Sequence, residues 1–112
     1  MKFRLGQKVR YKRIVRKIQS PFMEEKDFED GEIIEKERIK TIELTKERHG
    51  FVMGERHLAE RAQYTFEEDN SSFSGHVAHY GTETIRVYKI AYDMAHTNYV
   101  LEEDLKEATN VS

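Results

Sequence analysis

The side chains in this sequence best suited to bind a metal ion are its five histidines. They are His49, His57, His76, His79 and His96. Only His76 and His79 are close in sequence, and in an extended or irregular segment a three-residue spacing does not bring two imidazoles onto one ion as it would on a helix. We therefore expect no transition-metal site and no cofactor.

The clustered carboxylates do not form a catalytic pattern either. They occur in three runs, at Glu24-Glu25, Glu67-Glu68-Asp69 and Glu102-Glu103-Asp104. A catalytic acid needs an apolar pocket that raises the pKa of one carboxyl group, and none of these runs has apolar neighbours on both sides. We interpret the runs as solvated acidic surfaces.

The usual nucleophiles and phosphate-binding loops are missing from the sequence. There is no cysteine, which excludes disulfides, thiolate nucleophiles and cysteine zinc sites. Ser71, Ser72 and Ser74 lie in a polar stretch without a nucleophile elbow, and Gly50 and Gly54 lack the further glycine and the lysine of nucleotide-binding loops. We expect the protein not to be an enzyme.

Positive charge is concentrated at the start of the chain. Eight of the 19 Lys and Arg residues, and no acid, lie between Met1 and Met23, whereas the rest holds 11 cations and 21 acids. The formal charge of −2 excludes a wholly basic nucleic-acid binder. Either the cations pair with the acids across one sheet, or they form a basic stripe for a partner. The candidate partner-binding residues of the stripe are Lys8, Arg10, Lys12 and Arg13.

Aromatic residues are the second candidate for partner binding. Tyrosine offers contact area with a polar tip at a low entropic cost, so exposed tyrosines favour an interaction platform. Tyr88 and Tyr92 are expected in the core. Core and platform remain open for Tyr64, Phe73 and Tyr80.

The hydrophobic pattern predicts a mainly β fold. Phe3, Leu5, Val9 and Tyr11 alternate with cations, as in a half-buried strand. Beyond Tyr11 the apolar spacing fits either a helix or a β-bulge near Arg13 that turns Ile14 and Ile18 inward.

The remaining elements follow from turn signals. We predict a short helix over Ser20–Asp30, a strand over Ile39–Glu47, and a turn at Arg48-His49-Gly50 into a second strand. Gly54 in that second strand indicates a bulge or a close backbone approach. An exposed loop over Glu67–Gly75 precedes a central strand over Thr84–Asp93. A short strand at Tyr99–Leu101 and one helical turn from Glu102 complete the pattern. The predicted core contains Leu5, Val9, Phe51, Ile85, Val87, Ile90 and Leu101.

Three segments carry a resemblance to a known fold. They are Gly6-Gln7-Lys8-Val9, Arg48-His49-Gly50-Phe51-Val52-Met53-Gly54 and Tyr99-Val100-Leu101-Glu102-Glu103-Asp104-Leu105. Their order resembles that of SH3-like small β-barrels. The chain is also similar to small uncharacterised proteins of Gram-positive phages and prophages, whose final segment reads AYD…YV…EDL. The resemblance implies a barrel of five or six strands with one short helix and a C-terminal helical turn.

We expect one domain over residues 1–112, with a charged insertion at 21–38 and a frayed tail at 109–112. No apolar run reaches the roughly 18 residues of a membrane-spanning helix, and no signal peptide follows the basic start, so we expect a soluble cytoplasmic protein. The expected function is a non-enzymatic protein-interaction module, such as a phage accessory protein that binds and inhibits or redirects a host protein. The alternative is a nucleic-acid-binding small barrel that uses the basic N-terminal strand.

Overall fold

The computed structural model describes residues 2–19, 23, 27–28, 32–68 and 75–108. Within them the chain is mainly β, as predicted, with six strands in one antiparallel sheet. The strands are β1 (Lys8–Lys17), β2 (Ile34–Glu37), β3 (Ile39–Glu68), β4 (Gly75–Ala91), β5 (Thr97–Val100) and β6 (Lys106–Glu107). One turn of 3-10 helix, Glu102–Asp104, stands where the sequence predicts a helical turn.

The described ranges contain no α-helix. The predicted helix over Ser20–Asp30, the predicted loop over Glu67–Gly75 and the predicted tail at 109–112 fall largely or wholly outside the described residues. The predicted central strand is confirmed: β4 pairs with β3 on one side and with β5 on the other.

Four strands form a closed circuit of pairings, which we call the ring (residues 8–17, 39–59, 85–91 and 97–100). β1 pairs with β3, β3 with β4, β4 with β5, and β5 with β1 through Val15 and Tyr99. The two-residue β6 lies on β1 beside Val9 and Arg10. The circuit leaves few unpaired strand edges in this part of the molecule.

Beyond the ring, β2 and the outer parts of β3 and β4 form a three-stranded arm (residues 34–37, 60–68 and 75–84). β2 pairs with β3 from Ile34 opposite Tyr64 to Glu37 opposite Arg61, and the β3–β4 pairing reaches Glu68 opposite Gly75. The molecule measures 68 × 27 × 24 Å, and its radius of gyration is 19.0 Å. A compact chain of this length has a radius of gyration of about 13 Å, so the arm makes the protein elongated.

The predicted hairpin at Arg48-His49-Gly50 is wrong, because β3 runs through these residues without a turn. Arg48 pairs with Tyr11 and Phe51 with Lys8, so this part of β3 is the partner of β1. Gly50 is buried, and a Cβ there would lie 2.5 Å from the carbonyl oxygen of Ala91 and 2.6 Å from a side-chain carbon of Ile90. Glycine is needed at this position because β4 approaches closely.

The bulge predicted at Gly54 and the bulge that is one of the two alternatives near Arg13 are both present. The β1–β3 register shifts between Tyr11 and Arg13, and Ile14 is buried, which confirms the β-bulge interpretation of this segment over the helical one. The β3–β4 register shifts between Val52 and Gly54, where Gly54 has a φ of +151° that favours glycine.

Most of the buried side chains form one cluster inside the ring. Its members are Phe3, Val9, Tyr11, Ile14, Val52, Tyr88, Ile90, Val100 and Leu105. A second cluster of Val15, Leu58 and Val87 lies nearer the arm, with Ile85 and Leu101 partly buried against it. The core prediction is therefore confirmed for Val9, Val87 and Ile90, while Ile85 and Leu101 are only partly buried.

The core prediction is wrong for two residues. Leu5 is 70% exposed because it lies in a β-turn, where the Gln7 N–H donates to the Arg4 carbonyl and Gly6 has a φ of +81°. Phe51 is 53% exposed because its neighbour Val52 faces the core, which turns Phe51 to the outer face of the ring.

Candidate interaction surfaces

The predicted basic stripe borders a cleft of about 340 Å³ between β1, β3 and the 3-10 turn. The cleft forms where Leu44–Glu47 of β3 separates from Lys12 of β1. It is lined by Arg10, Tyr11, Lys12, Arg13, Glu43, Glu47, Glu103, Asp104 and Lys106. Cations and acids are therefore mixed in its walls.

Two cations of the stripe pair with acids from distant parts of the chain. The Arg10 guanidinium lies 3.1 Å from a Glu47 carboxylate oxygen, and Arg13 Nε donates to Asp104 Oδ2 at 2.9 Å. The hydrogen bond to Asp104, and its negative charge, raise the pKa of Arg13. These contacts fit the interpretation in which the basic segment pairs across the fold. Lys12 makes no ion pair with the described residues, and Lys8 lies opposite Phe51 on the outer face.

Two of the predicted aromatic candidates, Tyr64 and Tyr80, are on the arm, away from the stripe. Tyr64 pairs with His79 across the β3–β4 register, and their rings meet edge to face at 5.8 Å between centroids. Tyr80 is the extra residue of a β-bulge opposite Gln63 and Tyr64, and it is 65% exposed. Phe73 lies outside the described residues.

The charges near the base of the arm compensate one another. Arg61 lies between three carboxylates, with nitrogen–oxygen distances of 3.7 Å to Glu35, 3.7 Å to Glu60 and 3.4 Å to Glu83. Gln63 Nε2 also donates to Glu35 at 3.1 Å. This face of the arm therefore carries paired rather than single charges.

A polar network that sequence reasoning missed lies at the end of the ring. The Tyr11 hydroxyl and the Arg48 guanidinium both donate to Asn98 Oδ1 at 2.9 Å. Arg48 also lies over the Tyr92 ring, 4.2 Å from its centroid. Burial raises the pKa of Tyr11 to about 12, against the opposing effect of Arg48. The network joins β1, β3 and the β4–β5 turn.

That turn is itself held by Asp93. Its Oδ1 accepts hydrogen bonds from the backbone N–H groups of Ala95 at 2.7 Å and His96 at 2.8 Å, and the His96 ring lies within 2.8 Å of both carboxylate oxygens. The N–H of Ala95, followed by His96, lowers the pKa of Asp93. Because these contacts are local to the turn, we interpret them as structural.

Three large exposed apolar side chains form what we call the apolar surface: Leu5 in the β-turn before β1, and Phe51 and Met53 on β3. They are 70%, 53% and 47% exposed. The N–H of Gly6 donates to the Val52 carbonyl at 2.7 Å, and the N–H of Val52 donates to the Gln7 carbonyl at 2.9 Å. These bonds hold the turn that carries Leu5 beside the segment that carries Phe51 and Met53.

The sequence contains only a partial signal for this surface. In Phe51-Val52-Met53, a regular strand places Val52 on one face and both Phe51 and Met53 on the other. The structure buries Val52 to 2% exposure and inserts Met53 as the extra residue of the Gly54 bulge. Phe51 and Met53 therefore both remain accessible on the outer side.

Comparisons with protein-family models, curated proteins and solved structures found no match to this chain. Within the described part of the chain, no three His, Asp or Glu side chains are grouped as a metal site. A search of the same residues found no helix with the length and apolar character needed to span a membrane.

Proposed function

We propose that this protein is a non-enzymatic protein-interaction module. The supporting observation is the apolar surface, where Leu5, Phe51 and Met53 are about half or more exposed although each is a strongly apolar side chain. Single exposed apolar residues are ordinary, but neighbouring ones on a rigid sheet mark interaction sites, since burying them on a partner is favourable.

We further propose that the ring is an SH3-like small barrel. The pairing of Val15 with Tyr99 closes the circuit of four strands, and the motifs at Gly6–Val9, 48–54 and 99–105 follow the order expected of that fold. The similarity of the final segment to small phage proteins supports a host protein as the partner.

The pairing of the basic stripe favours a protein partner over a nucleic acid. A nucleic acid would need cations that contact its phosphates. Arg10 and Arg13 instead form ion pairs with Glu47 and Asp104, which compete with such contacts. Polar phosphates also offer no complement to Leu5 or Met53, which are exposed apolar side chains.

The proposal is tested with a double variant, Phe51→Ser/Met53→Ser, and a matched control, Ile33→Ser. Ile33 precedes β2 and is 45% exposed, so its replacement removes an exposed apolar side chain outside the ring. Tagged wild-type, variant and control proteins are used to capture partners from nuclease-treated lysate of a bacterial host.

We expect the same captured protein with the wild type and the control, and its loss with the double variant, at unchanged melting temperature. Equal capture by all three proteins would contradict the role of the apolar surface. Capture that disappears from every sample after nuclease treatment would instead support the nucleic-acid alternative.

A further inference from the structure

We propose that the outer part of β4 is a dimerisation edge, at which residues 75–84 pair antiparallel with the same residues of a second copy of this chain. We call this segment the open edge. The proposal rests on the strand pairing and the side chains of the arm, and it does not depend on the apolar surface.

The open edge has a partner strand on one side only. Over residues 75–84, β4 pairs with β3, whereas β5 joins β4 only at Tyr88–Ala91. Tyr64 of β3 pairs with both Ile34 and His79, so β2 lies along the edge of β3 that is opposite to β4. A strand directs its N–H and C=O groups to both sides. Among the described strands, none pairs with the outer side of the open edge.

The side chains of the open edge do not protect it from pairing. Natural edge strands resist association through lysine, proline or exposed charge. Residues 75–84 contain no Lys, Arg or Pro, and their one charged residue is Glu83. A guanidinium nitrogen of Arg61 already lies 3.4 Å from that carboxylate. The backbone groups of this strand are therefore not guarded by charge.

The other edge of the arm, β2, is protected against self-association. It carries charge at three consecutive positions, Glu35, Lys36 and Glu37. In a two-fold antiparallel pair with its axis at Lys36, Lys36 would face its own copy and Glu35 would face Glu37. An axis at either glutamate would bring two glutamates together. Like charges directly opposite each other are destabilising, so self-pairing is favoured at β4 and opposed at β2.

Tyr80 indicates that the occupant of the open edge is a second copy. It lies near the middle of the segment, is 65% exposed and is the extra residue of a β-bulge. A regular strand from another protein would lose its register at this bulge, whereas a copy related by a two-fold axis at Tyr80 brings an equal bulge. His79 then faces Gly81, and Val77 faces Glu83, so the acid meets no other acid. Tyrosine is also enriched in the cores of interfaces.

The resulting dimer is closed. Its two arms would form one sheet in the order β2-β3-β4-β4-β3-β2, in which both outer edges are the charged β2 strands. Further copies would be repelled at these edges. Because the central pair is antiparallel, the two rings would lie at opposite ends of the dimer, each with its own apolar surface.

The first experiment measures the association of the full chain by sedimentation equilibrium. Tyr80→Lys and Tyr80→Glu each place two like charges at the proposed axis. The matched controls, Thr45→Lys and Thr45→Glu, make the same changes of charge at an exposed position of β3 in the ring. Thermal melts followed by circular dichroism verify that every variant is folded.

We expect the wild type and both Thr45 variants to form dimers with equal dissociation constants. Each Tyr80 variant alone should dimerise at least about tenfold more weakly, because its like charges repel. An equimolar mixture of Tyr80→Lys and Tyr80→Glu should recover the dimer, since a mixed pair places opposite charges at the axis. This recovery is specific for Tyr80 facing Tyr80.

The second experiment is disulfide cross-linking. The chain has no cysteine, so Tyr80→Cys introduces a single thiol. Directly opposite residues of antiparallel strands have Cα atoms about 4.5–5.5 Å apart, which a disulfide can span. Oxidation with diamide should convert Tyr80→Cys into a covalent dimer, and the control Thr45→Cys should remain mainly unlinked.

The proposal is overturned if the wild type is a monomer at concentrations up to about 1 mM, if Tyr80→Lys dimerises as tightly as the wild type, or if the charged mixture does not associate. Oligomers that grow beyond the dimer would overturn it in favour of β2 of one copy pairing with β4 of the next. A dimer lost with Phe51→Ser/Met53→Ser but kept with Tyr80→Lys would overturn it in favour of an interface at the apolar surface.

Discussion

At the scale of single residues, the buried phenol of Tyr11 joins strands that are far apart in sequence. Its hydroxyl donates to Asn98, which also accepts a hydrogen bond from Arg48. Burial raises the pKa of this phenol to about 12, because the phenolate would be poorly solvated. The folded state therefore holds the Tyr11 proton more tightly than the unfolded state does.

The first prediction follows from that proton. Because the folded-state pKa lies above the ordinary value of 10.0, the contribution of Tyr11 to stability is complete below about pH 10 and is lost as the pH rises towards 12. Absorbance titration of the phenolate should show a late-ionising tyrosine that is missing from Tyr11→Phe. A tyrosine spectrum that titrates identically in the two proteins would contradict this.

The second prediction concerns the ion pairs of the basic stripe. The Arg10 and Arg13 side chains are 40% and 43% exposed, so water and salt weaken their attraction to Glu47 and Asp104. Arg10→Gln should lower the free energy of unfolding by only about 0.2–1 kcal/mol, as measured by urea denaturation, and Arg13→Gln should also cause only a small loss. A much larger loss would mean that the cleft is essential to the fold.

At the scale of elements, the course of β3 depends on glycine at position 50. The third prediction is that Gly50→Ala destabilises the protein by about 1–3 kcal/mol, because the new methyl group would overlap the Ala91 carbonyl and the Ile90 side chain. Urea denaturation measures the loss. Gly81→Ala is the comparison, since its methyl group would meet only the end of the Gln63 side chain, which can move.

If Gly81→Ala were as destabilising as Gly50→Ala, a general loss of glycine flexibility would explain both results. The close approach of β3 and β4 at Gly50 would then not be the cause.

The sequence predicted those elements whose pattern depends on their own residues. The central strand β4 carries apolar residues of both parities, whereas the change of apolar spacing after Tyr11 fits both the observed bulge of β1 and a helix. The predicted turn before Phe51 is wrong because the local sequence around a glycine is the same whether the glycine is buried between two strands or lies in a turn. Only the distant residue Ala91 distinguishes them.

The candidate site was less predictable than the fold, for a similar reason. Charge alone identifies Lys8 as a candidate. The core prediction for its neighbour Phe51 is wrong because the burial of Phe51 depends on which face of the ring Val52 occupies. Leu5 continued the alternation of a strand, yet the turn closed by Arg4 and Gln7 removed it from that strand. Tyr80 is exposed because it is the extra residue of a bulge, and the sequence around Tyr80 does not predict that bulge.

At the scale of the whole molecule, the ring and the arm have separate interiors. Phe66 of the arm contacts Phe28, with ring centroids 6.2 Å apart, whereas no described member of the main core cluster lies within residues 61–83. Packing is short-ranged, so removal of the arm should leave the main core intact.

The fourth prediction is that a variant with residues 61–83 replaced by Asn-Gly retains a cooperative thermal transition and the near-ultraviolet circular dichroism of its buried tyrosines. The transition should occur at a lower temperature because β2 loses its partner strand. The apolar surface should still bind its ligand. Loss of the cooperative transition would show instead that the ring depends on the arm.

The position of β1 in the ring also sets the order in which the protein can fold. β1 pairs with β3, β5 and β6, and the Lys2 N–H reaches the Tyr88 hydroxyl at 3.1 Å. Every strand that flanks β1 is therefore synthesised well after it, and those from β5 onward emerge last from the ribosome. Such distant pairing folds slowly, since long loops must close first. During translation the β1 segment therefore remains without its partner strands until the later strands have been synthesised.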